Sequence, residues 1–180
     1  MSLKSLLQYT KNLTLLYVED DEDTRVSSLS VLKELFGDIV VGVDGNDGID
    51  KFNSNHIDII ISDINMPHKD GLEMAKEIRE IDKNIPILIL SAHNEAQYFI
   101  ESIKIGIDGY ILKPMDISQF TQALSKSIDK IRLQQENTNF KEVLKSNTIG
   151  SNNSSNEEAI KQIDMMIEMM TKLKETLQAT

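Results

Sequence analysis

The chain has 180 residues, 40% of them hydrophobic and 27% charged, which suits one well-buried domain with an appendage rather than two full domains. Its formal net charge of -10 disfavours broad attraction to nucleic acid or anionic membrane, which carry the same sign. Cysteine is absent, which excludes disulfides and thiolate metal sites and is compatible with a reducing compartment.

Leu3 to Thr10 reads as a short amphipathic helix with Leu3, Leu6 and Leu7 inward, a lead-in occupying residues 1–12. From Leu13 to Ile131 short apolar runs alternate with helix-patterned segments, the signature of repeated βα units on a parallel sheet. Five strands are predicted: Leu13 to Val18, Asp38 to Val43, Ile57 to Ser62, Ile87 to Leu90 and Tyr110 to Leu112. Several are nearly continuous Ile, Leu and Val, as expected where helices cover both faces of a sheet. Helical stripes are predicted at Val26, Leu29, Leu32 and Phe36, at Leu72, Ala75 and Ile78, and at Ala96, Ile100 and Ile103. A longer stripe runs through Ile117, Phe120, Leu124, Ile128 and Ile131, and a short polar helix is placed at Asn46 to Asn53. The fold class is therefore α/β, with a doubly wound five-stranded parallel sheet over residues 13–131.

The last of these helices is expected to extend through Phe140 and Leu144 into a polar linker, Ser146 to Asn156, so that residues 132–156 are helix extension and linker. Residues 157–180 carry Ile160, Ile163, Ile167, Met170, Leu173 and Leu177 at helical spacing, a C-terminal amphipathic helix. The apolar runs, such as Ile85 to Leu90, are too short to span a bilayer, and the N-terminus lacks a long apolar stretch, so a cytoplasmic location without membrane contact is expected.

In an open parallel sheet, ligands bind at the carboxyl ends of the strands. Here those ends carry Glu19, Asp20 and Asp21, then Asp63, then Ser91, then Lys113 followed by Pro114. Carboxylates drawn together repel unless a cation neutralises them, and Mg²⁺ accepts one or two carboxylates, a carbonyl and waters. Asp20 and Asp63 are read as direct ligands, Glu19 as a ligand through water, and the Asn65 carbonyl as the remaining protein oxygen. Asp63 beside a hydroxyl and an ammonium suits phosphoryl acceptance, with Lys113 supplying charge and Ser91 a hydrogen bond. A cis Lys113–Pro114 peptide would aim that ammonium inward.

Taken singly, each residue has a plainer reading. The acid cluster fits a helix start favoured by the dipole, Asp63 a turn residue before Asn65 and Pro67, Ser91 a strand-end hydroxyl, Lys113 a solvated lysine and Tyr110 core packing. His56, His68 and His93 share no metal-ligand spacing, and the tail methionines Met165, Met166, Met169 and Met170 suit adaptable packing.

LLYVEDDEDTR, DIIISDINMPHKDG, PILILSAH and GYILKP together resemble the response-regulator receiver family of two-component signalling, across about Leu13 to Ile131. The resemblance implies a flavodoxin-like (βα)5 fold and phosphorylation of Asp63 by a partner histidine kinase. It also implies a switch coupling Ser91 to Tyr110, a modulating position at His93, and no enzymatic role beyond self-catalysed phosphorylation and dephosphorylation. Output would pass to a downstream protein target, with homodimerisation through the C-terminal helix the favoured role of the tail. No nucleic acid is expected as partner, since basic and acidic residues nearly balance after Ile131 and no basic recognition helix stands out. The alternatives are a receiver fragment of a longer hybrid kinase or diguanylate cyclase, and an Asp-nucleophile phosphohydrolase. The latter is disfavoured because position 65 is Asn, leaving no obvious general acid.

Overall fold

The computed structural model describes residues 3–92, 94–148, 161, 164 and 165. The chain divides into two units, Met1–Ile131 and Arg132–Thr180. The element order is α1 (Leu3–Thr10), β1 (Thr14–Val18), α2 (Glu22–Leu35), β2 (Asp38–Gly42), α3 (Gly45–Ser54) and β3 (Ile59–Ser62). It continues through α4 (Gly71–Ile81), β4 (Ile87–Ser91), α5 (Ala96–Ile105), β5 (Gly109–Leu112) and α6 (Ile117–Thr148).

The five strands form one all-parallel sheet in the order β2-β1-β3-β4-β5. Because successive side chains of a strand point to opposite faces, each central strand feeds two cores. Leu15, Tyr17, Ile59, Ile61, Leu88 and Leu90 pack with residues of α1, α2 and α6. Leu16, Val18, Ile60 and Ile87 pack on the α3 and α4 side, while Ile89 joins Tyr98, Ile105 and Tyr110. This is the doubly wound (βα)5 architecture, and its strand order reverses between β1 and β3.

Local chemistry sets the helix starts. Asp21 accepts from Thr24 N–H, Asp44 from Asp47 N–H, and Asp70 completes a capping box with Glu73. The Asp44 cap, together with Ile49 and Phe52 packed against the core, makes α3 longer than the polar Asn46 to Asn53 stretch suggests. At the amino end of β5, Asp108 receives Arg79 of α4 at 2.9 Å and Lys130 of α6 at 2.6 Å, joining the two faces away from the carboxyl ends.

The α5 stripe is rotated, with Ile100 and Ile103 exposed, Ile103 at 78%. In the stripes of α2 and α6 only the first residues, Val26 and Ile117, are exposed, whereas Leu32, Phe36, Phe120, Leu124, Ile128 and Ile131 are buried as predicted. In α5 two phases have similar spacing, and the inward one runs through half-buried Tyr98, buried Ser102 and half-buried Ile105, with Tyr98 and Ile105 packed against Ile64, Leu72 and Ile89. In α2, half-buried Arg25 and Ser28 face inward where Val26 was expected. In α1, Leu6 is buried and Leu7 half-buried, as predicted.

In the second unit, α6 continues through Ser146, Asn147 and Thr148, the first residues of the stretch read as linker. A helix already propagating carries such polar residues at modest cost, since they lack the ring of proline. Lys141 pairs with Asp164 at 3.2 Å, and Leu133, Phe140, Val143 and Met165 are exposed. The rest of the linker, and most of the helix expected from residue 157 onward, lie outside the described residues. Among the described residues no helix is long and apolar enough to cross a membrane.

Candidate functional site

The site forms where β1 and β3 lie side by side. Their register pairs Val18 with Ser62, and Asp63 N–H donates to the Val18 carbonyl at 3.0 Å, so the residues just beyond the two strands emerge together. One carboxylate oxygen from each of Glu19, Asp20 and Asp63 lies within 4.8 Å of the others. Glu19 is 2% exposed and Asp63 9%, whereas Asp20 is exposed. Asp21 turns away to cap α2, so the helix-start reading holds for that acid and leaves the other two to the cluster.

The loops are held by backbone contacts. Arg25 donates to the carbonyls of Glu19 at 2.9 Å and Asp20 at 3.0 Å, fixing the turn from β1 into α2. On the other side Gly71 N–H donates to the Ile64 carbonyl at 2.8 Å. A Cβ at Gly71 would stand 1.9 Å from the Asp63 carbonyl oxygen, so only glycine lets the start of α4 approach this closely. Asn65 is exposed two residues beyond Asp63 in the same loop.

Lys113 enters from beyond β5. Its ammonium stands 2.8 Å from Glu19 Oε2 and 3.2 Å from Asp63 Oδ1, and the Lys113–Pro114 peptide is cis. Burial works against its charge, but the hydrogen bond to Glu19 and the charge of Asp63 outweigh that and hold its pKa above the ordinary lysine value. Burial is the main reason the Glu19 carboxyl is raised from its ordinary value. The hydrogen bond and charge of Lys113 oppose this rise, and the negative charge of Asp63 adds to it. Three close carboxylates sharing one ammonium retain an excess of negative charge, and an all-oxygen donor set of this spacing suits a hard divalent cation.

Ser91 and Tyr110 form a second pair on neighbouring strands. Ser91 ends β4 fully buried, and the half-buried Tyr110 side chain hydrogen-bonds to it. Burial lifts the Tyr110 phenol above its ordinary pKa against the pull of that bond. The ring of Phe99 lies 4.3 Å from that of Tyr110, centroid to centroid. The Ser91 carbonyl accepts from Lys113 N–H at 2.8 Å, joining this pair to the acidic cluster through the backbone.

Thus Glu19, Asp20, Asp63 and Lys113 come together, and Ser91 and Tyr110 pair beside them. His93 lies outside the described residues. His68 is exposed, with a φ of 67°, and the His56 side chain is exposed beside Asp58, so neither joins the cluster. Two contributors escape a reading by strand ends. Tyr17, fully buried, donates to Glu19 Oε2 at 3.3 Å, and Arg25 clamps the loop. The signal for Tyr17 was its position two residues before Glu19, which puts both on one face of the strand direction.

Residues 15–125 match the response regulator receiver domain family. The chain is 30% identical over 127 residues to the transcriptional regulatory protein RprY of Bacteroides fragilis, covering 71% of this chain and 54% of that relative. It is 29% identical over 117 residues to ZraR of Klebsiella oxytoca, covering 64% of this chain and 26% of the relative. The chain therefore spans about half and about a quarter of these two curated relatives. Among solved structures it resembles the receiver domain of the Francisella response regulator 1452, with 31% identity, a TM-score of 0.58, and coverage of 63% of this chain and 94% of that one. It also resembles a chain of the CheX–CheY–BeF3–Mg²⁺ complex from Borrelia burgdorferi, with 29% identity, a TM-score of 0.58, and coverage of 62% and 86%. With the fold, the acidic cluster and this match over more than half its length, the chain belongs to the response regulator receiver domain family.

Proposed function

We propose that Asp63 is the phosphoryl acceptor of a Mg²⁺-dependent switch, charged by a histidine kinase and read out through protein contacts. The observation that carries this reading is the Lys113 ammonium, 2.8 Å from Glu19 and 3.2 Å from Asp63, beside carboxylates whose oxygens lie within 4.8 Å. In the transfer, an Asp63 carboxylate oxygen attacks the phosphorus of a phosphohistidine. A new P–O bond forms as the P–N bond breaks, and the imidazole leaves with the electron pair. Lys113 orients Asp63 and offers charge to the incoming phosphoryl oxygens, and the Ser91 hydroxyl donates to one of them. Asp20 and Asp63 would hold the metal directly, the Asn65 carbonyl would offer a further oxygen, and Glu19 would act through water. Bound Mg²⁺ supplies neutralisation of the carboxylates and of the equatorial charge that builds up during transfer. The presence of Mg²⁺ and BeF3 in the Borrelia burgdorferi CheX–CheY complex supports this assignment.

Tyr110 is the partner of Ser91 in the switch, and their hydrogen bond supports that pairing. Engagement of Ser91 by the phosphoryl group would draw on the same hydroxyl and so alter the Tyr110 environment, biasing the surface around α5, β5 and α6 toward one of two states. The downstream target is a protein, and a second copy of the chain, docked through residues 157–180, is the favoured assembly. A cytoplasmic location goes with a kinase partner and a cysteine-free chain. A second reading, that the chain is the receiver part of a longer protein such as a hybrid kinase or diguanylate cyclase, is supported by its spanning only 54% and 26% of its relatives.

Intact mass after incubation with acetyl phosphate and Mg²⁺ tests the assignment. One phosphoryl addition is expected, absent in EDTA and absent in Asp63→Asn. Addition that persists in the folded variant, or none in the parent, would overturn it.

A further inference from the structure

Tyr17 is a large, fully buried polar side chain that the transfer itself does not use. Its ring packs in the core shared by α1, α2 and α6, while its hydroxyl reaches Glu19 Oε2 at 3.3 Å. The same oxygen accepts Lys113 at 2.8 Å. The Tyr17 hydroxyl also hydrogen-bonds Ser28, a half-buried residue of α2. A chain of polar contacts therefore runs from Ser28 through Tyr17 to Glu19, then through Lys113 to Asp63. Glu19 is 2% exposed, so water cannot replace a lost donor freely.

We propose that Tyr17 is a positioning residue for the cation site: its phenol donates to Glu19 Oε2, holding that oxygen toward Tyr17 and Lys113 and leaving Oε1 for the hydrated cation. This rests on the reading of Glu19 as a water-mediated ligand given above. The physical basis is the one by which groups behind a ligand fix its rotamer and keep it charged at low entropic cost. A phenol suits the task because its ring is locked by core packing, so the donor is placed by the fold rather than by a flexible side chain.

The test is calorimetric titration of the full chain with MgCl₂, comparing parent, Tyr17→Phe, Glu19→Gln and the double variant. Tyr17→Phe keeps the ring and is expected to weaken Mg²⁺ binding on the order of tenfold. In the Glu19→Gln background the same substitution should change affinity by less than about twofold, because its route is gone. Should Tyr17→Phe not fold, Ser28→Ala in the same two backgrounds takes its place. It is expected to weaken Mg²⁺ binding about twofold to threefold, and only where Glu19 is intact. Parent-like affinity in folded Tyr17→Phe, or an equal loss with and without Glu19, overturns the positioning role while leaving the phosphoryl-acceptor reading standing. A parent that binds no Mg²⁺ overturns both.

Discussion

Lys113→Met removes the ammonium while keeping an unbranched chain of similar length, and it isolates the charge that balances the acidic cluster. At an effective dielectric near 20, contacts of 2.8 Å to Glu19 and 3.2 Å to Asp63 carry about 6 and about 5 kcal/mol of bare Coulomb attraction. Desolvating an ammonium whose side chain is 25% exposed cancels much of this, and the expected net loss on substitution is about 3 kcal/mol at pH 7 without divalent cations. Burial raises the Glu19 pKa, so protonating it favours the folded state. That contribution is fully present below the unfolded-state pKa and is lost as pH rises through the folded-state one. In the variant Glu19 loses its ammonium, the destabilisation is full at pH 7, and it shrinks as pH falls toward the ordinary glutamate range. Lys113 itself, with its raised pKa, keeps its contribution up to its unfolded pKa and loses it as pH climbs through the folded one. Urea unfolding followed by circular dichroism in EDTA should show the midpoint falling by roughly 1–3 M at pH 7 and by clearly less at pH 4. An unchanged midpoint at pH 7, or an equal penalty at both pH values, would refute the reasoning.

Gly71→Ala is expected to destabilise the fold by about 3 kcal/mol and to abolish phosphoryl addition at Asp63, because the new methyl meets the Asp63 carbonyl at 1.9 Å and must displace it. A parent-like urea midpoint with normal phosphorylation would show that the loop yields freely. Deleting residues 157–180 is expected to convert a dimer to a monomer in light scattering, and an unchanged mass would remove the C-terminal helix as the contact.

Most of the fold was legible because parallel strands buried on both faces leave runs such as Ile59, Ile60 and Ile61 that have few other uses. The acidic site was legible for a related reason: a carboxylate at the end of an apolar strand, as at Asp63, stands where the sheet opens. What was not legible is rotational. Ala96, Ile100 and Ile103 make as good a stripe as Tyr98, Ser102 and Ile105, and the choice is settled by packing of Tyr98 and Ile105 on Ile64, Leu72 and Ile89 from other parts of the chain. The Tyr17 to Glu19 bond is hidden in the same way, since an aromatic in a strand reads as core until its hydroxyl is seen beside a carboxylate.

The geometry also explains why one lysine can join the two halves of the site. Its backbone N–H is bonded to the Ser91 carbonyl at 2.8 Å, and its side chain spans to Glu19 and Asp63. Tyr110 lies three residues earlier on the same chain segment, with its side chain hydrogen-bonded to Ser91 and its ring against Phe99. On the proposed reading, added negative charge at Asp63 would act together on the ammonium just beyond β5 and on the Ser91 hydroxyl at the end of the neighbouring β4. β5 is the edge strand, with each of Gly109 to Leu112 paired to β4, so a shift at its Lys113 end is carried along that short ladder to Tyr110. The response to charge is therefore expected at Tyr110 and at the faces of α5 and α6 beside it, where exposed Ile103 and Ile117 already present apolar surface to solvent.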